Sequence, residues 1–146
     1  MQTSWNLMVE ALGAAACELA AAGVGEDRPR LMLHALGREL TALAKGPYDE
    51  TSPRAAARAL LLGAERAAKV SEALASMRGD GATGFHGAAT GALHLAYTVA
   101  TGAQLRAQAL LPQLPDEELR ANFEREFDSH ARRTRELLAP GGGSSV

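Results

Sequence analysis

Histidines and their acidic neighbours are the residues of this chain best suited to chemistry. Glu126 precedes His130 by four residues, so on a helix its carboxylate comes within reach of the imidazole ring. Such a pair, joined by His94 or His34, has the donor atoms for a metal ion or for acid–base catalysis. His130, however, falls on the apolar stripe of its own helix, formed by Leu119, Phe123, Phe127, Thr134 and Leu137. We therefore interpret His130 and Glu126 as a buried polar pair of the core.

The motifs that would organise such chemistry are missing from the sequence. There is no pair of Glu-x-x-His motifs, as di-iron bundles require, no His-Glu-x-x-His and no cluster of cysteines and histidines. The glycine-rich segment RGDGATGFHG at 78–87 lacks the Lys-Ser/Thr step of a phosphate-binding loop. Cys17 stands in an alanine-rich segment with no basic neighbour to activate its thiol, and we interpret it as a small buried apolar residue. We expect no metal, no cofactor and no enzyme activity.

The composition of the 146 residues favours helices over strands. Alanine, which loses no side-chain entropy when it enters a helix, supplies much of the 47% hydrophobic content, whereas aromatic residues make up 4%. β-branched residues other than threonine are scarce, so no segment has the pattern of a strand. We predict an all-α fold, an antiparallel up-down bundle of four to five helices. It forms one domain at 1–139, followed by a flexible tail at 140–146.

Caps and breakers mark the ends of five predicted helices. The first starts at Thr3 or Ser4, the second runs from about 29 to 45, the third starts after Ser52, the fourth runs from about 84 to 111, and the fifth starts at PDEEL, 115–119. Gly102 is a candidate for a kink in the fourth helix or for a point at which this helix divides in two. The segments LMVEALG at 7–13 and LMLHALG at 31–37 resemble each other, which we attribute to chance in a chain so rich in Leu and Ala.

Charge and cysteine content limit the compartment and the partners. The formal net charge is −2 and the isoelectric point is about 6.1, so there is no basic field of the kind that attracts nucleic acid. Thirteen arginines against two lysines are typical of a GC-rich genome, and we expect a bacterial protein. A lone cysteine fits a reducing compartment. The segment before Cys17 lacks the basic start of a signal peptide, and no stretch is apolar enough to span a bilayer. The expected location is cytoplasmic, without membrane contact.

A run of 25 residues, 81–105, contains no Asp, Glu, Lys or Arg. When 84–111 is drawn as a helix, its apolar residues fall on one broad side. The other side is an uncharged polar strip formed by His86, Thr90, His94, Tyr97, Thr98, Thr101, Gln104 and Gln108. A strip that faces water normally carries Lys and Glu, so this one requires an explanation.

Three arrangements explain the uncharged strip. The helix is central in the bundle and its threonines bond to carbonyls of their own helix, or the strip is an interface, or His94 and Tyr97 line a ligand pocket. We favour the interface over the pocket because no other feature of the sequence indicates a ligand. The predicted function is that of a non-catalytic assembly subunit, which binds a protein partner or forms a homo-oligomer through 84–111.

Two alternative functions remain open at this point. The first is a small-molecule-binding bundle with a pocket lined by His94 and Tyr97. The second is a small helical subunit of a nucleoprotein complex, which contacts a nucleic-acid backbone through a few arginines such as Arg54 and Arg58. The arginines of 120–135 alternate with carboxylates, a pattern typical of a solvated face rather than of a phosphate-binding one.

Overall fold

The computed structural model describes residues 4–22, 27–46, 52–77 and 83–138, and within these ranges every regular element is helical. The elements are α1 (Ser4–Ala21), α2 (Asp27–Lys45), α3 (Pro53–Met77), α4 (Thr83–Leu110), a 3-10 turn (Leu111–Gln113) and α5 (Glu117–Leu138). The helices pack against one another, which confirms the predicted all-α bundle. The predicted tail at 140–146 lies outside the described residues.

Local capping chemistry explains where several helices begin and end. The Ser52 hydroxyl accepts the backbone N–H of Ala55 at 3.2 Å and Pro53 opens α3, both as the sequence predicts. The Asp116 carboxylate accepts the N–H groups of Glu118 and Leu119 and so caps α5. α4 ends at Leu110, just before Pro112 in the 3-10 turn, because proline has no N–H to continue the ladder.

Contacts between neighbouring helices establish the up-down order. The Asn6 amide, near the start of α1, donates to the carbonyl oxygen of Ala44 near the end of α2 at 3.2 Å. The Cys17 thiol, near the end of α1, lies 3.8 Å from the carbonyl oxygen of His34. α1 and α2 are therefore antiparallel. Between α2 and α3, Glu39 pairs with Arg66, and Leu43 lies 3.5 Å from the position of a Cβ on Gly63, so these two helices are antiparallel as well. One cluster of buried apolar residues has members from all five helices.

Trp5 joins the start of α1 to the middle of α3 and α4. The ring is 2% exposed, and its Nε1–H donates to the carbonyl oxygen of Val99 at 2.9 Å. A Cβ at Gly63 would lie 2.6 Å from the Trp5 ring, and one at Gly102 would lie 3.1 Å from it. Gly102 thus makes room for the indole, and α4 continues through it as one helix, so the prediction that Gly102 divides this helix is wrong.

α1 and α2 cross at two glycines. A Cβ built on Gly13 would lie 2.8 Å from the Gly37 carbonyl oxygen, and a Cβ on Gly37 would lie 2.8 Å from the Gly13 carbonyl oxygen. These reciprocal distances mean that the two backbones touch, which only glycine allows at both positions. Gly13 and Gly37 are the last residues of the two similar segments 7–13 and 31–37, so the resemblance that we attribute to chance coincides with a symmetric helix crossing.

Candidate functional site

α4 packs on α1, α3 and α5 and leaves one side open. Its buried side is almost entirely Ala, Leu and Val, at Ala89, Ala92, Leu93, Ala96, Val99, Ala100, Ala103 and Ala107. The open side carries Gly87, Gly91, His94, Thr98 and Leu105, all exposed, and none of them is charged. The uncharged run of the sequence therefore covers both a core surface and a solvent-facing one. Central packing alone explains only the first.

The open side of α4 is displaced from the predicted strip. Of the predicted residues, His94, Thr98 and Gln108 are exposed, whereas Thr90, Tyr97, Thr101 and Gln104 are half-buried. The side chain of His86 lies outside the described part of the structure. The displacement arises because α5 covers one edge of the strip, where Gln104 and Gln108 share a groove with α5, and the open side turns toward Gly87, Gly91 and Leu105 instead.

Thr98 on the open side of α4, and the half-buried Thr101 beside it, have hydroxyl groups that are already hydrogen-bonded. The Thr98 hydroxyl donates to the His94 carbonyl oxygen at 3.0 Å, and the Thr101 hydroxyl donates to the Tyr97 carbonyl oxygen at 2.8 Å. This is the local bonding that the sequence predicts. Because each hydroxyl donor already has a partner on its own helix, covering these threonines leaves no unpaired donor, and the cost of removing them from water is small.

The open side of α4 continues onto α1. Met8 packs close to Gly102, with its Cε 3.7 Å from the position of a Cβ there, and Leu95 is half-buried along the same seam. Beyond the seam, the exposed residues of α1 are uncharged over three turns, and the nearby Glu10 is half-buried and already has a partner. We call the resulting surface the α1/α4 face; its exposed residues are Leu7, Ala11 and Ala14 on α1 and Gly87, Gly91, His94, Thr98 and Leu105 on α4.

Two large apolar side chains on the α1/α4 face are highly exposed to solvent. Leu7 is 53% exposed and Leu105 is 66% exposed. Single exposed leucines are common on protein surfaces, but here they share one uncharged surface with small residues and the methyl-bearing Thr98. Depletion of charge is what distinguishes the buried centre of an interface from the rest of a protein surface.

The surface of α5 has the opposite character. Arg132 pairs with Asp128, Arg120 with Glu117 at 3.9 Å, and Arg133 with both Glu72 and Glu136, at 3.3 and 3.6 Å. These pairs confirm the predicted solvated face and leave these three arginines matched by carboxylates. An arginine already paired in this way is a poor candidate for a phosphate contact, so the arrangement gives the nucleoprotein alternative no support. Arg54 and Arg58 are exposed on α3.

Among the described residues, a groove lies on each side of α5, and neither contains His94 or Tyr97, the residues of the alternative ligand pocket. The groove between α4 and α5 has a volume of about 300 Å³ and is lined by Gln104, Ala107, Gln108, Leu111, Pro112, Glu124 and Phe127. The groove between α3 and α5 has a volume of about 430 Å³ and is lined mainly by charged residues of both helices, with His130 among them. His94 lies instead on the exposed side of α4.

The predicted buried pair of His130 and Glu126 does not form. His130 is half-buried, Glu126 is exposed, and in the described part of α5 no hydrogen bond joins them. His130 lies at the edge of the buried stripe of α5, and Glu126 lies about 40° further round the helix from that edge, so it faces water. Cys17, expected to be buried, is half-buried between α1 and α2. Among the described residues no three His, Cys, Asp or Glu side chains converge on a point that would hold a metal ion.

The fold and the face define the class of protein as an all-α helical bundle with one uncharged side. None of the described helices is both long enough and apolar enough to cross a membrane. No family model, curated protein or solved structure matches the chain. The α1/α4 face itself is therefore the basis for inferring what the protein does.

Proposed function

We propose that this protein is a non-catalytic assembly subunit that binds another protein surface through the α1/α4 face. The observation that supports it is the contrast between this face, with exposed Leu7 and Leu105 and no exposed charge between its ends, and the ion-paired surface of α5. Charged side chains cost free energy when an interface removes them from water, and this face has no exposed one to desolvate over about 28 Å of α4.

The bonding of the threonines supports the same proposal. Thr98 and Thr101 satisfy their hydroxyl donors within α4, so a partner can cover them without supplying acceptors. Gly87 and Gly91 have nothing within 4 Å of the position that a Cβ would occupy, so the α4 backbone is open to close approach from outside the chain. Together these features favour a partner helix or an apolar partner surface over a charged one.

The test is photo-crosslinking in cells that produce the protein. A photoreactive residue at His94, which is exposed, should give a discrete crosslinked species, whereas the same residue at Glu118, exposed on the charged surface of α5, should not. The second arm adds Thr98→Lys to the His94 probe. It should abolish the crosslink because it places a charge in the middle of the face, while changing the free energy of unfolding by less than about 0.5 kcal/mol, since Thr98 is exposed.

The crosslinking experiment has clear contrary outcomes. Equal products from the two probe positions would mean that the face is no more occupied than an ordinary solvated surface. A crosslink that survives Thr98→Lys would mean that the contact does not depend on the uncharged centre of the face. Circular dichroism of the variant shows whether the helices are intact, so that loss of the crosslink is not mistaken for unfolding.

A further inference from the structure

We infer that the surface which covers the α1/α4 face is a second copy of the same chain, docked with its α4 antiparallel so that Arg106 of each copy meets Glu18 of the other. This inference rests on the proposed function, because it names the partner of the same face. Three features of the face support it: the positions of its charges, of its exposed leucines and of its open glycines.

The two ends of the face carry opposite charges. The Trp5 ring lies beside Val99 and Gly102. α3 and α4 are joined by only five residues and both meet the Trp5 ring, at Gly63 and Gly102, so they are antiparallel. Because α1 and α3 run in the same direction, α1 runs antiparallel to α4. Glu18 follows Trp5 by 13 residues, or about 20 Å of helix, which brings it level with Gly87. Arg106 lies 19 residues from Gly87, about 28 Å away at the other end of the face. Both charged side chains are exposed, and neither forms an ion pair with a described residue.

This distribution of charge complements itself under one two-fold rotation. An axis that crosses α4 at a right angle near Tyr97 reverses the direction of the helix and exchanges its ends. Arg106 of each copy then lies at the level of Glu18 and Gly87 of the other, and the same contact forms twice. An axis parallel to α4 would instead place Arg106 opposite Arg106, which is unfavourable. Charge therefore selects the antiparallel arrangement.

The shape of the face agrees with the same axis. Leu105, the more exposed of the two leucines, lies at the Arg106 end, whereas Gly87 and Gly91, with open space before them, lie at the Glu18 end. Rotation about the axis near Tyr97 places Leu105 of each copy over the bare backbone at Gly87 and Gly91 of the other. Leu7 lies two residues after Trp5, level with the axis itself, so the two copies of Leu7 face each other.

The size of the face indicates how tight the dimer is. A surface about 28 Å long and two helices wide, with axes roughly 9 Å apart, covers on the order of 500–600 Å² per copy. Stable specific interfaces bury roughly 800 Å² per partner, so this face corresponds to the weaker, concentration-dependent class. We expect a monomer–dimer equilibrium with a Kd of roughly 10–100 µM.

The test combines solution molar mass with a charge exchange. Light scattering on the full chain from about 1 µM to about 500 µM should show a rise from 15.2 kDa toward twice that mass. Arg106→Glu and Glu18→Arg should each raise the Kd at least tenfold, because each creates two like-charge contacts. The double variant should restore the Kd to within about threefold of the original, since it exchanges the two signs. Arg58→Glu, an exposed arginine on α3, is the matched control and should leave the Kd unchanged.

Each result decides the inference. A chain that stays monomeric over the whole range, or a double variant no better than the single ones, overturns the antiparallel self-contact. The proposed function is judged separately: a His94 crosslink to a species of another mass would keep the face as an interface and assign it to a foreign partner. Absence of any crosslink would overturn both. The single variants are at exposed positions, so circular dichroism should show unchanged helix content.

Discussion

Replacing Trp5 by alanine is expected to lower the free energy of unfolding by about 3–5 kcal/mol, the range for removing a large buried aromatic side chain. The indole is 2% exposed and fills the space left by Gly63 and Gly102, so nothing nearby is placed to close the cavity. Its loss also removes the hydrogen bond from Nε1 to the Val99 carbonyl oxygen. Urea unfolding followed by circular dichroism measures the effect, because Trp5 is the sole tryptophan and its fluorescence disappears in the variant.

Trp5→Phe is the control that separates packing from hydrogen bonding. Phenylalanine keeps most of the apolar volume but has no N–H donor, so we expect a loss of about 1–2 kcal/mol. If alanine cost no more than phenylalanine, the ring would not be the contact that joins α1 to α3 and α4. Because the same ring holds α1 against α4, Trp5→Ala should also weaken any association through the α1/α4 face.

The second large effect is a contrast between two glycine-to-alanine changes. Gly37→Ala should lower the free energy of unfolding by about 1–3 kcal/mol, because its Cβ would lie 2.7 Å from the Cys17 sulfur and 2.8 Å from a backbone oxygen. The backbone oxygen belongs to Gly13 on the opposing helix, so relief requires that α1 and α2 move apart. Gly91→Ala should raise the free energy of unfolding by about 0.5–1 kcal/mol, because the helix gains alanine's propensity and the new methyl group meets nothing.

Thermal or urea unfolding at low protein concentration measures both glycine variants without a contribution from association. Opposite signs are the expected outcome, since the two substitutions are chemically identical and differ only in what surrounds the new methyl group. A stabilising Gly37→Ala would contradict the close crossing of α1 and α2. A destabilising Gly91→Ala would contradict the open side of α4, on which both proposals rest.

The rigid attachment of α1 to α4 bears on how the face works. Trp5 bonds to α4 at one end of the seam, and Met8 and Leu95 pack along it, so the two helices present their outer residues as one surface. A preformed surface loses little conformational entropy on binding, which lets even a modest area give specific association. The same rigidity keeps Glu18 and Arg106 about 28 Å apart along the axis of α4, which is the separation that the two-fold contact requires.

Helix ends are the part of the structure that the sequence predicts best, because their causes are local. Ser52 before Pro53 sets the start of α3, the acidic segment at 116–118 sets the start of α5, and Pro112 stops α4. Each of these depends on bonds or clashes within four residues along the chain. The helix-favouring composition and the 25-residue run without charge can likewise be read directly from the sequence.

What the sequence does not contain is which residues meet across the bundle. In the sequence Gly102 has the pattern of a helix break, because the ring that fills the space beside it, Trp5, is 97 positions away. His130 and Glu126 share a helix and a four-residue spacing, yet only the packing of α5 decides that Glu126 faces water. The strip on α4 is similar: periodicity identifies its residues, but the positions of α5 and α1 determine which edge is covered.

The uncharged character of α4 is thus a property of the chain, and the α1/α4 face is a property of the fold. Charges are either present in a segment or not, so their absence over 81–105 follows from the order of the amino acids alone. The fold places that segment beside Leu7 and puts Glu18 and Arg106 at opposite ends of the α1/α4 face. This arrangement depends on contacts between residues more than 80 positions apart. The hydrophobic effect depends on how much apolar area is buried and does not specify which residues supply it, so the sequence alone does not fix these contacts. Only the packed bundle shows which surfaces stay exposed to solvent.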